Sequence, residues 1–218
     1  RSQRVLTKVL MNQKTWCFGQ LKKFYTTSLL IFRELGTWAL EYYISQVLGR
    51  AMRLVGLENN YLEGCTDAEQ RHLCGLLRPI DSVCKIHESS IDASTVSDKV
   101  QQFIEALPRD RALAGIVFVQ RRATAAVLTQ VLLAHPKTKS LYRVGTVVGA
   151  SHHSLKSTNI CDLIEREEQG QTLLKFRSGQ LDLVIATTVL EEGIDVPKKG
   201  PCSDKGVAIS VDAAFTIG

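Results

Sequence analysis

Apolar positions along the chain change their spacing once. Up to about residue 107 they recur at three- and four-residue steps, the period of helices that bury one face. Leu21, Phe24, Tyr25, Ser28, Leu29, Phe32 and Leu35 form one series, and Trp38, Tyr42, Ile44, Val47, Leu48, Met52 and Val55 form a second beyond Gly36. Thr37 is placed to cap that second helix. Thr66 and Glu69 frame a capping box that opens a third. Ser94 to Leu107 reads as a fourth, with Val96, Val100, Phe103, Ile104 and Leu107 on one face, stopped at Pro108.

Beyond Pro108 the pattern becomes short continuous apolar runs separated by helical stretches. Gly115 to Gln120, Val144 to Val148 and Leu181 to Thr188 read as strands apolar on both faces. Between them, Arg122 to Ala134 and Ile160 to Arg177 read as helices, the first ended by His135-Pro136 and the second by Ser178-Gly179. Val207 to Asp212 has the composition of a further strand. Strands alternating with helices imply a parallel sheet covered on both sides. The expected class is therefore α/β, an all-α domain over residues 1–108 followed by a parallel-sheet domain over 109–218.

Composition leaves that reading intact. Of 218 residues, 44% are apolar and 22% charged, which excludes a disordered or collagen-like chain. No run approaches the roughly 18 apolar residues of a membrane span, so no membrane association is expected. The six cysteines are expected as reduced thiols, because the chain opens Arg1-Ser2-Gln3-Arg4 without a leader pattern. Cys65, His72, Cys74, Cys84 and His87 crowd together, but no pair has the spacing of a zinc knuckle, and no metal site is expected. The net charge of +5 is uneven: residues 1–57 hold nine Lys and Arg against two acids, 58–110 five against ten, and 111–218 thirteen against ten.

In a parallel α/β sheet, ligands meet the loops that follow the strands. Here those loops are Gln120-Arg121-Arg122, the stretch from Gly149 through Ser151 to Lys156, and Thr187-Thr188 running on to Glu191-Glu192-Gly193-Ile194-Asp195-Val196-Pro197. Hydroxyls, cations and small residues gather there, as contact with a phosphodiester backbone requires. Solvated turns would show similar chemistry, and pattern alone does not separate the two.

The residues decide further by resemblance. Gly115-Ile-Val-Phe-Val-Gln-Arg-Arg-Ala-Thr-Ala125 resembles motif IV of superfamily-2 helicases, and Leu183-Val-Ile-Ala-Thr-Thr-Val-Leu-Glu-Glu-Gly-Ile-Asp-Val-Pro197 resembles their motif V. The Glu-Glu-Gly-Ile-Asp-Val-Pro form is that of the Dicer and RNA-sensor branch. Leu21-Lys-Lys-Phe-Tyr-Thr-Thr-Ser and Glu34-Leu-Gly-Thr-Trp-Ala-Leu-Glu-Tyr-Tyr43 are most similar to the fungal Dicer-like proteins, of the second type. The resemblance spans residues 1–197. It implies a helical insertion followed by an incomplete RecA-like C-terminal helicase lobe, within a parent that hydrolyses ATP with Mg and cuts double-stranded RNA for silencing and antiviral defence.

Carried onto this sequence, the resemblance implies RNA contacts at Gln120, Arg121, Arg122, Gly149, Ser151, Lys156, Thr187 and Thr188. It implies nucleotide contacts at Glu192, Gly193 and Asp195. It implies double-stranded RNA and the first helicase lobe of the parent as partners, and a cytoplasmic location with the nucleus as a second compartment. The basic first segment, with Lys22 and Lys23 beside Phe24 and Tyr25, offers a further protein partner a place on the helical domain. A noncatalytic RNA- or protein-binding helical module and the lobe of a DNA-junction helicase are the alternatives.

The phosphate-binding loop, the acidic metal-holding motif and the arginines of motif VI do not occur in the sequence, and the stretch after Pro197 departs from the family. The chain is therefore expected to be a fragment with no catalytic residue of its own and no tightly bound cofactor. The purified chain should turn over no ATP. Phosphate release above buffer that disappears in Asp195→Ala would contradict this.

Overall fold

A computed structural model describes residues 15–56, 66–83, 91–108, 114–148, 159–164, 167–187 and 206–210. The described elements are helices α1 (Trp16–Leu35), α2 (Thr37–Gly56), α3 (Asp67–Val83) and α4 (Asp98–Ala106), then strand β1 (Ala114–Val119), α5 (Arg122–Ala134), β2 (Val144–Val147), α6 (Glu167–Arg177), β3 (Leu183–Thr187) and β4 (Gly206–Ser210). They fall into two compact units. One holds the described residues of 1–30, 41–88 and 151–163; the other holds those of 31–40, 89–150 and 164–218. The division does not run through Pro108: α4, the end of α1 and the start of α2 group with the sheet.

In the helical unit, Tyr43, Val47, Leu48, Ala51 and Leu73 are buried, and the Phe24 and Tyr43 rings stack with centroids 6.1 Å apart. The capping box forms as expected. The Glu69 N–H donates to Thr66 Oγ1 at 3.2 Å, and the Thr66 N–H donates back to Glu69 Oε2 at 3.1 Å. The buried Gln20 accepts the Ile160 N–H on its Oε1 at 3.2 Å, which ties residues 159–163 to α1. Burial pushes the thiols of Cys17 and Cys161 and the phenol of Tyr43 above their ordinary values.

Three helix expectations need correction. Residues 160–164 are not helical, and α6 begins only at Glu167. The Ile160 N–H goes to Gln20 and the Cys161 N–H to Asn159 Oδ1, so these donors serve a turn and a tertiary contact. Residues 94–96 likewise form a turn. Asp92 Oδ1 accepts from the N–H groups of Ser94 and Thr95 and from the Ser94 hydroxyl, which also lowers the Asp92 pKa. The helix waits for Ser97, whose Oγ caps it by accepting from the Val100 N–H. Finally, Tyr25, Leu29 and Phe32, expected inside, are exposed, while Leu35 is buried as expected together with Cys17, Gln20 and Ile31, which lie outside the expected series. Apolar residues lie nearly all round α1, so periodicity could not choose its inner face.

The sheet unit is built on four parallel strands in the order β2-β3-β1-β4. Every residue of β1 and β3 is buried, as continuous apolar runs demand. Ile116, Phe118, Val184, Ala186 and Val147 pack on one face with Phe176 of α6. On the other face, Thr146 of β2 shares a 2.6 Å hydrogen bond with Thr129 of α5. Helices thus cover both sides of the sheet, the α/β arrangement of a RecA-like lobe. The expected run after Lys205 supplies β4, paired on β1.

Two devices fix the amino-terminal edge of the sheet. Asp182, 6% exposed, accepts from the Arg143 N–H at 2.9 Å and from its Nε and Nη2 at 2.8 Å. This planar pair sets β2 beside β3 and holds the guanidinium charged beyond its ordinary range. Gly179, at φ 73°, ends α6: its N–H reaches the Phe176 carbonyl at 3.0 Å and the Gln180 N–H reaches that of Lys175 at 2.8 Å.

The elbow between α1 and α2 is equally constrained. Gly36 has φ 102°, and a Cβ there would meet the Thr95 carbonyl oxygen at 2.6 Å and the Ser97 nitrogen at 2.7 Å. The Ser97 N–H donates to the Leu35 carbonyl at 3.1 Å, Ser97 Oγ donates to the Glu34 carbonyl at 2.6 Å, and the Trp38 N–H donates to the Thr95 carbonyl at 3.0 Å. Thr37, expected as a cap, is instead the first helical residue, and its hydroxyl donates to the Thr95 carbonyl at 3.2 Å.

Gly36→Ala is expected to cost at least about 2 kcal/mol, because the strain of a positive φ adds to overlap with backbone that cannot move aside. Thermal unfolding no earlier than wild type would contradict it. His135 is buried at the end of α5, and its Nδ1 accepts the Lys137 N–H at 3.2 Å. Burial first, and the Lys137 charge second, hold its pKa below the ordinary 6.5. The unfolded chain therefore binds the proton more readily, so stability is full above pH 6.5 and falls as pH drops through the folded value. Melting temperature should fall as the pH drops below about 6.5, and His135→Asn should flatten that slope.

Candidate nucleic-acid interface

Because all four strands run parallel, their carboxyl ends share one edge. Val119 pairs with Thr187 and Val147 with Ala186. Gln120 therefore leaves the sheet one residue beyond the Val119–Thr187 pair, on strands about 5 Å apart. The structure so brings together Gln120, Arg121, Arg122 and Thr187. Thr188, Gly149, Ser151, Lys156, Glu192, Gly193 and Asp195 lie outside the described residues.

Within the group the side chains differ in access. Gln120 and Arg121 are exposed and Arg122 is half-buried. Thr187 is only 3% exposed, so it is not presented to solvent. Arg121 is the N-cap residue of α5, with extended φ −125° and ψ 139°, and its side chain makes no capping bond. Its carbonyl accepts the first helical bond, from the Ala125 N–H at 2.9 Å. The first turn of α5 holds no acid of its own, so the positive end of the helix and the Arg121 guanidinium favour an anion at the same place.

One contributor has no local signal in the sequence. Glu34, at the end of α1, accepts on Oε2 the hydroxyl of Thr124 at 3.1 Å, across 90 residues of chain. Among the described residues, no three His, Cys, Asp or Glu side chains cluster as metal ligands, and no helix is long and apolar enough to cross a membrane.

Residues 98–199 match the helicase conserved C-terminal domain, a match that opens at the first residue of α4 and runs through both strand-end motifs. The chain carries a helicase C-terminal lobe. It is 38% identical over 197 residues to Dicer-like protein 2-1 of Aspergillus niger, covering 88% of this chain and 14% of that protein. It is 35% identical over 198 residues to Dicer-like protein 2 of Pyricularia oryzae, covering 90% and 13%. The lobe is thus of the fungal Dicer-like kind, and the chain spans about one-seventh of the length of these relatives. Among solved structures, the Pyrococcus furiosus Hef helicase domain aligns with a TM-score of 0.39 and 19% identity, covering 89% of this chain and 36% of that one.

Proposed function

We propose that this lobe holds the backbone of double-stranded RNA within a Dicer-like ATP-dependent helicase and ribonuclease III. The observation that carries the reading is Arg121, an exposed cation at the end of the central strand that leaves the helix behind it uncapped. Exposed Gln120 beside it adds a neutral donor, and the strands that open the motif IV and motif V runs end at the same sheet edge. Such groups bond phosphate and sugar oxygens and carry little base information, so binding follows shape. In the proposed parent, ATP and magnesium are held by the first helicase lobe, and this chain meets the nucleotide through Glu192, Gly193 and Asp195. The parent's products serve RNA silencing and antiviral defence, in the cytoplasm and in the nucleus as a second compartment.

A second reading rests on α1. Phe18, Tyr25 and Leu29 are exposed at helical spacing beside Lys22 and Lys23, which suits a protein partner on the helical unit rather than RNA.

Fluorescence anisotropy with a labelled RNA duplex separates the two. Arg121→Ala should weaken binding about tenfold at low salt and reduce the slope of log affinity against log salt by about one. Lys139→Ala, at the opposite end of the sheet, should leave both unchanged. Salt-insensitive binding, or equal loss in the two variants, would contradict the RNA reading, and a preference for duplex DNA would point to a DNA helicase lobe.

A further inference from the structure

Helix α5 begins without the device that usually starts a helix. Its N-cap is an arginine with no capping bond, and its first turn holds no acidic residue. A helix start of this kind leaves its first N–H groups without an internal acceptor and its positive end without a counter-charge. The first turn is nonetheless held, from elsewhere. Thr124, its third residue, is buried and donates its hydroxyl to Glu34 Oε2 at 3.1 Å.

Glu34 is itself held firmly. Its own carbonyl accepts from Ser97 Oγ at 2.6 Å, and the next carbonyl, of Leu35, accepts the Ser97 N–H at 3.1 Å. Gly36 then packs its α-carbon against the backbone of residues 95–97 with no room for a side chain. The same Ser97 caps α4 through the Val100 N–H at 3.3 Å. A carboxylate is therefore delivered to the first turn of α5 by an elbow whose backbone has no slack.

We infer that Glu34 is a positioning residue for the Gln120-Arg121-Arg122 turn. It anchors the first turn of α5 through Thr124, so the two arginines are presented from a fixed helix start while Arg121 is left free of capping. The inference deepens the RNA-backbone reading and, for its effect on affinity, rests on it. A carboxylate serves better than an amide here because a charged acceptor makes the stronger hydrogen bond with the hydroxyl. The role belongs to Glu34 rather than to the bulk of α1, since one named hydrogen bond carries it.

The test uses the whole chain and two readouts. Amide hydrogen exchange is measured first, without RNA. Glu34→Ala should speed exchange at Ala125 and the next few amides of α5 by about fivefold or more, the worth of one part-buried hydrogen bond to a charged group. The amides of β1 and β3 should stay at their wild-type rates. Glu34→Gln, which keeps an acceptor and the volume, should restore much of the protection. Thr124→Val should match Glu34→Ala, and the double variant should add little to either. The second readout is affinity for the labelled duplex, where Glu34→Ala should lose several-fold and Glu34→Gln should recover most of it.

Wild-type exchange at α5 in Glu34→Ala would overturn the inference, as would simple additivity with Thr124→Val. A local exchange change with unaltered RNA affinity would also overturn it. If the wild-type chain bound no duplex at all, the RNA reading would fail, and the exchange data alone would still decide whether Glu34 anchors the turn.

Discussion

The pairing of β1 with β3 is the constraint on which the candidate site depends. The two strands run parallel and are buried along their whole length. They are far apart in sequence, with α5, β2 and α6 between them. Only a parallel pair can bring the residues after Val119 and the end of β3 to the same edge, since an antiparallel pair would place them at opposite ends. The register is determined twice. Alternate side chains of both strands meet Phe176 in one apolar layer, and at the far edge Asp182 clamps Arg143 while its carbonyl accepts the Gly115 N–H. A slip of one residue would turn the layer inside out and break the bond between Gly115 and the Asp182 carbonyl.

Much of this was legible in the sequence. Short apolar runs separated by helical stretches define parallel strands with little ambiguity, and the ends of α5 were marked by Arg122 and by His135-Pro136. Capping chemistry was legible where it was local, as at Thr66 and Glu69. It failed where the same residue types had distant partners. Thr37 looked like a cap and bonds Thr95 instead. Ile160 and Cys161 looked like the start of a helix, yet their N–H groups serve Gln20 and Asn159. The inner face of α1 was not legible for another reason: when most faces are apolar, only the neighbours decide which one is buried. The grouping of α4 with the sheet was hidden for a similar reason, since its ties run through Ser97 to the end of α1.

The candidate site divides along the same line. Gln120, Arg121 and Thr187 could be placed at one edge by strand order alone. Whether each side chain was presented or buried depended on packing, which separated exposed Arg121 from buried Thr187. Glu34 could not be found by any local rule, because the bond that matters spans 90 residues.

The arginine at position 121 shows how function and local stability compete. Ser, Thr, Asp or Asn there would satisfy a backbone donor of α5 and strengthen the helix start by about 1 kcal/mol. Each would also remove a cation from the place where an anionic backbone would approach, and Asp would add repulsion. With arginine at the cap, the local rule is broken and the helix start has to be secured by a residue set back from the edge. Position 124 is suitable, being in the first turn yet buried beneath it. A carboxylate reaching Thr124 from the elbow holds the turn without occupying the exposed edge. Conflict between a local preference and a site is resolved here by a distant contact, which is the pattern expected where a binding surface is mounted on the end of a helix.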